Sequence, residues 1–309
     1  MRVAVLGSGS RGNAVVVDCD GRRILLDAGF SCREIERRLA AVGVAADTLE
    51  AVVVTHEHQD HVRGLDRLAR RWQVPFHATA GTLEGTRGLS RQARQRAVTL
   101  RAGEPAEVGC FTVEAFTIPH DASEPVGLVV TAPDGCRLGL AGDIGSRSRL
   151  AWTRLAEVDV LLLETNHDLD MLRSGPYPWV LKQRIAGRHG HLSNGEAAEG
   201  LPELLGDRLQ WVVCYHLSET NNLPGLAAAG IAEVLAREGS RAAVALTEQD
   251  RPGPWLEVRA GASPARELPA VAVDGRGESA GVGRRRRGRR RWLPEASRQL
   301  GLDFAFGED

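Results

Sequence analysis

A cluster of metal-competent side chains at the end of a predicted strand constrains this chain more than any other feature. Ala51-Val52-Val53-Val54 is a short apolar, largely β-branched run, which reads as a buried strand. It leads straight into Thr55-His56-Glu57-His58-Gln59-Asp60-His61, a window that holds three of the chain's nine histidines. Neutral imidazole suits zinc and similar ions, and a carboxylate serves harder ions as well. In an extended stretch alternate residues point the same way. His56 and His58 therefore share one side and are able to share one ion. Asp60 and His61 fall in the turn that follows and reach a second. Two ions need more ligands than one loop supplies, so the fold must bring distant segments to this strand end.

The rest of the chain offers several such segments. Residues 1–6 read as a strand that stops at Gly7. Ala14–Asp18 and Arg23–Asp27 read as a hairpin around Asp20-Gly21, a strong turn signal. Strands are also expected over Glu107–Ile118, Pro125–Thr131, Arg137–Ala141, Val158–Leu163 and Trp211–Tyr215. Helical spacing of apolar residues marks Ser31–Ala41, with Ser31 as its N-cap, and also Leu65–Trp72, 195–204 and 224–237. Strands ending at Val54, Ile118, Ala141, Leu163 and Tyr215 each carry a polar, metal-competent residue just beyond: the cluster itself, then His120, Asp143, Glu164 and His216. Strand ends on a rigid scaffold position functional side chains well. The mixture of β and α segments around one such edge suggests an α/β sandwich, with no internal repeat. On spacing alone, His120, Asp143 and His216 are open between ligand and ordinary core or surface residue.

With 309 residues and an apolar fraction of 43%, the chain has room for a proper core in one large or two small domains. A formal net charge of -1 excludes a global pull toward polyanions, so any attraction to nucleic acid must be local. The five scattered cysteines suggest neither a disulfide framework nor a Cys-x-x-Cys site, and a cytoplasmic location is expected. The first apolar run is too short for a signal peptide or a membrane span. Composition shifts near residue 261. Residues 1–261 are expected to form the catalytic domain. Residues 262–309, rich in Gly, Pro and Arg and including the run Arg284-Arg285-Arg286-Arg287-Gly288-Arg289-Arg290-Arg291, read as a largely disordered tail. The arginine run is either a salt-sensitive nucleic-acid anchor or an incidental extension, and the second is preferred.

Gly7-Ser8-Gly9-Ser10-Arg11-Gly12 matches the dinucleotide-binding GxGxxG pattern after a strand. That motif needs a helix to open at the glycines, because the helix N-terminus holds the pyrophosphate. Here the β-branched run Ala14-Val15-Val16-Val17 follows instead. A glycine-rich turn between two strands is the better reading, with Ser10 and Asn13 as candidates to face substrate if the loop lies beside the metal site.

His56-x-His58-x-Asp60-His61, with His120, Asp143 and His216 downstream, resembles the signature of the metallo-β-lactamase superfamily over roughly residues 1–260. Longer stretches resemble its YycJ (WalJ) branch: Gly7–Asn13, Pro119-His120-Asp121-Ala122, Leu163-Glu164-Thr165-Asn166-His167-Asp168, Lys182-Gln183-Arg184-Ile185, Gly190-His191-Leu192-Ser193-Asn194 and His216-Leu217-Ser218-Glu219 with Asn221-Asn222. The resemblance implies an αββα sandwich with two divalent metal ions, zinc or manganese, at one edge. It implies that His56, His58 and His120 bind one ion, that Asp60, His61 and His216 bind the other, and that Asp143 bridges them. It also implies 5′-to-3′ exonuclease activity on DNA. Glu164 and His191 match the proton relay of nuclease relatives, with His191 supplying the acid that a leaving group needs. Asp60 is the expected orienter of the attacking water. No inserted substrate-binding module is visible between Asp143 and His216, so recognition falls to the core surface.

Phosphate contacts call for cations near the cleft. Lys182 and Arg184 are the candidates before His191, with Asn194 just after it. Arg63, Arg67, Arg71 and Arg188 are further candidates. Nucleic acid, DNA first, is the expected partner. No membrane partner is expected, and self-association into a homo-oligomer stays open. Three rivals remain. The first is an RNA-processing endonuclease of the same fold. The second is a hydrolase of small esters, thioesters or lactones, disfavoured because Asp121-Ala122-Ser123 follows His120 where those relatives carry Thr-Pro-Gly. The third is a binding protein with a structural metal, disfavoured because closed structural sites favour cysteine ligands.

Overall fold

The computed structural model describes residues 1–261; the expected tail 262–309, with its arginine run, lies outside the described residues. The first sheet is built from β1 (Arg2–Gly7), β2 (Ala14–Cys19), β3 (Arg22–Leu26), β4 (Leu49–Val53), β5 (Phe76–Thr79) and β6 (Ala97–Leu100). The second contains β7 (Pro105–Val108), β8 (Phe111–Thr117), β9 (Val126–Thr131), β10 (Arg137–Ala141), β11 (Val160–Glu164), β12 (Trp211–Tyr215) and β13 (Ala243–Leu246). A last short strand, β14 (Leu256–Glu257), returns to the first sheet and pairs antiparallel with β1. The strand orders are β14-β1-β2-β3-β4-β5-β6 and β13-β12-β11-β10-β9-β8-β7. Each sheet is antiparallel in one part (β14 to β3, and β7 to β10) and parallel in the other.

Period-two alternation assigns the side chains to layers. Val15 and Val17 of β2 enter the core between the sheets, beside Val113, Leu128 and Leu162. Ala14 and Val16 of the same strand face the other way, into a core shared with Ile35 and Leu39 of the helix Cys32–Ala41 and Leu65 and Leu68 of the helix Leu65–Arg71. The second sheet does the same. Leu140 and Leu162 point inward, while Leu161 and Leu163 pack under the helices Arg149–Leu155, Asn194–Gly200 and Pro224–Arg237. Strands buried on both faces read as continuous apolar runs, which is why they stand out in the sequence. The result is the expected αββα sandwich.

Local chemistry explains the elements that were legible. The hairpin between β2 and β3 turns on Asp20 (φ 52°) and Gly21 (φ 82°), the paired left-handed residues of a type I′ turn. Ser31 caps its helix by accepting a hydrogen bond from the Glu34 amide at 3.3 Å. One expected strand divides in two. Glu107–Ile118 breaks into β7 and β8 because Gly109, at φ 62°, reverses the chain into a tight antiparallel pair. The expected helix 195–204 is α-helical only to Gly200, and Leu201–Leu204 tightens to a 3₁₀ turn at Pro202.

In the first turn of the helix Cys32–Ala41, Glu34 accepts hydrogen bonds from Arg37 (2.9 Å) and Arg38 (2.6 Å). The Arg37 bond, with help from Arg38, outweighs burial and holds the carboxyl at about 2. A carboxyl depressed in the folded state stabilises fully above its ordinary value and loses that contribution as pH falls through the depressed one. Glu34→Gln is expected to cost about 1 kcal/mol at pH 7, a figure discounted for the pair's partial exposure. Urea unfolding of the two proteins should show the gap closing as pH drops from 4.5 toward 2.

Candidate metal centre

The C-terminal ends of β3, β4, β8, β10, β11 and β12 meet at one edge of the sandwich. Three residues just past these ends take left-handed backbone conformations that non-glycine residues seldom adopt: Asp27 (φ 60°), Asp143 (φ 52°) and His216 (φ 56°). Such strain clusters at functional sites, where surrounding bonds hold it. Here the His216 amide donates to Ser8 Oγ (2.8 Å), and Asn166 Nδ2 donates to the His216 carbonyl (2.9 Å). Gly29 is required by packing: a Cβ there would run into the Asp60 carbonyl.

The side chains so presented form overlapping groups. Donor atoms of His56, His58 and His120 lie within 4.8 Å of one another, and the same holds for Asp60, His61 and His216. Asp143 sits between them, with one oxygen 3.0 Å from His61 Nε2 and the other 3.4 Å from His216 Nδ1 and 3.8 Å from His120 Nε2. Glu164 and His191 make a further group with Asp143 and His216. All seven expected ligands and both relay residues thus converge.

Outer bonds set the direction of each ring. His120 Nδ1 bonds the Gly190 carbonyl at 3.2 Å, leaving Nε2 toward His58 and Asp143. His61 Nδ1 bonds Asp27 at 2.8 Å, so its Nε2 faces Asp143. Asp27 also accepts from the Thr55 amide (2.8 Å) and hydroxyl (3.0 Å), and Thr55 in turn meets His56 Nδ1 at 3.1 Å. Sequence reasoning gave Asp27 no role at the site. The signal was there, in Leu26-Asp27-Ala28-Gly29, a strand ending in a carboxylate as β10 does. Carboxylates that orient metal-binding histidines matter nearly as much as the ligands. Asp27→Asn is expected to weaken metal binding by about 10- to 100-fold, read by titration against a competing chelator.

Electrostatics divide the histidines. Burial holds His56 well below its ordinary value. Burial also pushes His216 down, but Asp143, Asp60 and Glu164 outweigh it and lift the imidazole to about 10. Glu164 likewise outweighs burial at His191, and Asp27 and Asp60 do so at His61. Asp143 is held well below the carboxylate range, because His216 and His61 overcome its burial. The residues fit a pair of divalent cations on two counts. His56 Nε2 and His216 Nε2 are buried without a hydrogen-bond partner, an arrangement that costs about 1–3 kcal/mol each unless a ligand meets them. The donor set, imidazole with carboxylate, also suits such ions.

Around this centre lies a cavity of about 70 Å³, whose walls include Ser10, His58, His120, His191, Tyr177 and Leu181. Ser10 and Asp60 also border a neighbouring cavity of about 490 Å³ that reaches Arg63. The glycine-rich loop joins two antiparallel strands, not a strand and a helix, and lies beside the metal site. Its Asn13 is fully buried and bonds Ser8, Gly9, Asp60 and His61. Asn13 is thus placed to support the ligands and not to face substrate. Arg184 is paired with Asp121 at 2.6 Å, and Arg71 with Glu36 at 3.1 Å. Lys182 donates to the Arg173 carbonyl, and Asn194 bonds Asn222 at 2.8 Å. Arg63 bonds the Arg11 carbonyl and keeps its charge unpaired among the described residues. His191 is placed by Gly190, where a Cβ would strike the carbonyls of Arg184 and Ile185. The His191 amide bonds Ile185 at 2.9 Å, and the Ser193–Glu196 capping box starts the next helix.

A four-layer sandwich with His and Asp donors fit for two cations at one edge is the architecture of a metal-dependent enzyme. Comparison with known proteins agrees. Residues 22–211 match the model of the β-lactamase superfamily domain. The chain is 32% identical over 240 residues to the exodeoxyribonuclease YycJ of Bacillus anthracis, covering 77% of this chain and 90% of that protein. It is 34% identical over 229 residues to the exodeoxyribonuclease WalJ of Streptococcus pneumoniae, covering 73% and 85%. Among solved structures, the metallo-β-lactamase fold protein YhfI from Bacillus subtilis superposes with a TM-score of 0.64 at 17% identity, over 83% of this chain and 99% of that one. The chain belongs to the metallo-β-lactamase superfamily, in the family of the YycJ and WalJ proteins. Among the described residues no helix is long and apolar enough to cross a membrane.

Proposed function

We propose that this protein is a two-metal phosphodiesterase that degrades DNA from the 5′ end, with residues 1–261 as its catalytic unit. The observation that carries the reading is His191, on the same small cavity as His58, His120 and His216 and bonded at 2.8 Å to the buried Glu164 behind it. Metal-assisted hydrolysis of an ester with a good leaving group needs no such acid, whereas a departing sugar oxygen does. The two relatives named exodeoxyribonucleases support DNA as the substrate. The 5′-to-3′ direction follows from the resemblance carried by the sequence motifs.

His56, His58 and His120 would hold one cation and Asp60, His61 and His216 a second, with Asp143 placed between the two groups. Zinc and manganese both suit these donors. Cations held there make water a nucleophile at neutral pH and stabilise the charge that a phosphodiester gathers in the transition state. Asp60, between Asn13 and the two histidines, orients the attacking water. His191 keeps its Nδ1 on Glu164 and presents Nε2 to the cavity, where it protonates the departing oxygen. The five cysteines are free, in keeping with a cytoplasmic enzyme.

The test is cleavage of end-labelled single-stranded DNA, duplex DNA and RNA, with zinc or manganese and with chelator. Early release of a 5′ label from DNA, abolished by chelator, is the expected result. Preference for RNA with internal cuts would replace this reading with that of a processing endonuclease. No cleavage of any polynucleotide would point to a small ester, thioester or lactone.

A further inference from the structure

The cavity at the metal site measures about 70 Å³. Liquid water takes about 30 Å³ per molecule, and pockets that enclose a whole small ligand run to about 300–1,000 Å³. The cavity is therefore too small to enclose a whole nucleotide, and a base attached to a phosphate at the metal site lies outside it.

One side of that rim is aromatic and apolar. Tyr177, Leu181 and Ile185 line the cavity itself. Trp179 opens the helix Trp179–Ile185 and is 70% exposed, and Val180 beside it is 78% exposed. Large apolar side chains left in water next to a site mark a contact surface. The same segment carries charge of the right sign. Lys182, the sole lysine of the chain, bonds a backbone carbonyl and has no acidic partner among the described residues. Arg188, just beyond the helix, is exposed and likewise lacks an acidic partner among them. An exposed aromatic side chain and cations without acidic partners, on the same segment as the cavity-lining Tyr177, Leu181 and Ile185, suit a nucleic-acid strand with unstacked bases.

We infer that Trp179, two residues from the cavity-lining Tyr177, is a stacking platform for an unpaired base of the strand whose phosphate enters the cavity. The inference rests on the nuclease reading and narrows its substrate to single-stranded or frayed ends. Bases inside a duplex are covered on both faces and offer nothing to stack on.

The test measures binding by fluorescence anisotropy of cleavage-resistant phosphorothioate single strands, one normal and one abasic over its first nucleotides. The metal-loaded, full-length protein is compared with Trp179→Ala and Trp179→Phe, and each mass in solution is measured by light scattering. Trp179→Ala should bind the normal strand about ten-fold more weakly, as expected for loss of one stacked base. It should bind the abasic strand as wild type does, and Trp179→Phe should recover most of the loss. Equal weakening on both strands, or none on either, overturns the inference. So does a change of mass in Trp179→Ala, which would make this face a contact between copies of the chain. Wild type that binds neither strand also overturns it. Base-dependent binding without cleavage of the ordinary strands would uphold the platform and refute the nuclease reading instead.

Discussion

Asp143→Asn is expected to slow hydrolysis by on the order of 10³-fold or more and to lower the metal content, with the fold retained. Loss of a single transition-state donor costs about 10²–10³-fold, and a carboxylate proposed to be shared by two cations would affect both binding and turnover. Its two oxygens lie between 3.0 and 3.8 Å from His61, His216, His191 and His120. Asparagine is the informative substitution because it keeps the volume and tolerates the left-handed backbone at φ 52°. Alanine would add backbone strain and blur the result. His56→Ala should behave similarly, since its orphaned Nε2 would no longer meet a cation. Elemental analysis for metal per chain, circular dichroism and end-labelled strand cleavage read the three consequences. Full metal content with an unchanged rate would remove Asp143 from the ligand set.

His191→Ala should separate chemistry from metal binding. Its kcat on DNA is expected to fall by about 10²–10⁴-fold, the usual contribution of a positioned acid, while metal content stays near that of wild type. A nitrophenyl phosphodiester, whose leaving group departs without a proton, should lose far less. Equal losses on both substrates, or loss of metal, would assign His191 to binding and not to proton transfer. Glu164 is a poorer target. Fully buried, it bonds His191 (2.8 Å), His216 (2.9 Å) and the amides of Ile144 (2.7 Å) and Leu192 (3.2 Å). Glutamine there would set an NH₂ group against N–H donors and disturb ligand, acid and loop together.

The sequence alone carried the local features, because local chemistry produces them. Apolar runs, mostly buried on both faces, announced β2, β4, β11 and β12. Asp20-Gly21 announced its turn, and Ser31 its helix. His56, His58, Asp60 and His61 were legible as candidate ligands because they crowd into six positions, two on the extended exit of β4 and two in the helical turn Gln59–Val62 that follows. β5, β6 and β13 went unread, since four residues each give too little periodicity to separate strand from loop. Glu107–Ile118 read as one strand because alternation continues across Gly109, and only pairing between β7 and β8 reveals the break.

What the tertiary structure alone decided is which distant side chains meet. His77 and His191 are the same residue type in the sequence, yet His77 is buried in β5 while His191 lines the cavity, placed by Gly190. Arg184 looked like a phosphate contact until Asp121, far away in sequence, neutralised it. Asp27 looked like the end of a hairpin until β3 lay beside β4 and set its carboxylate under Thr55 and His61. The reason is common to all three. A side chain's type is written at its own position, but its direction and partners depend on sheet register and on left-handed turns at strand ends, which packing across the sandwich selects. The His cluster therefore announced a metal site, while the second half of that site, its orienting carboxylate and its aromatic rim exist only in the folded chain.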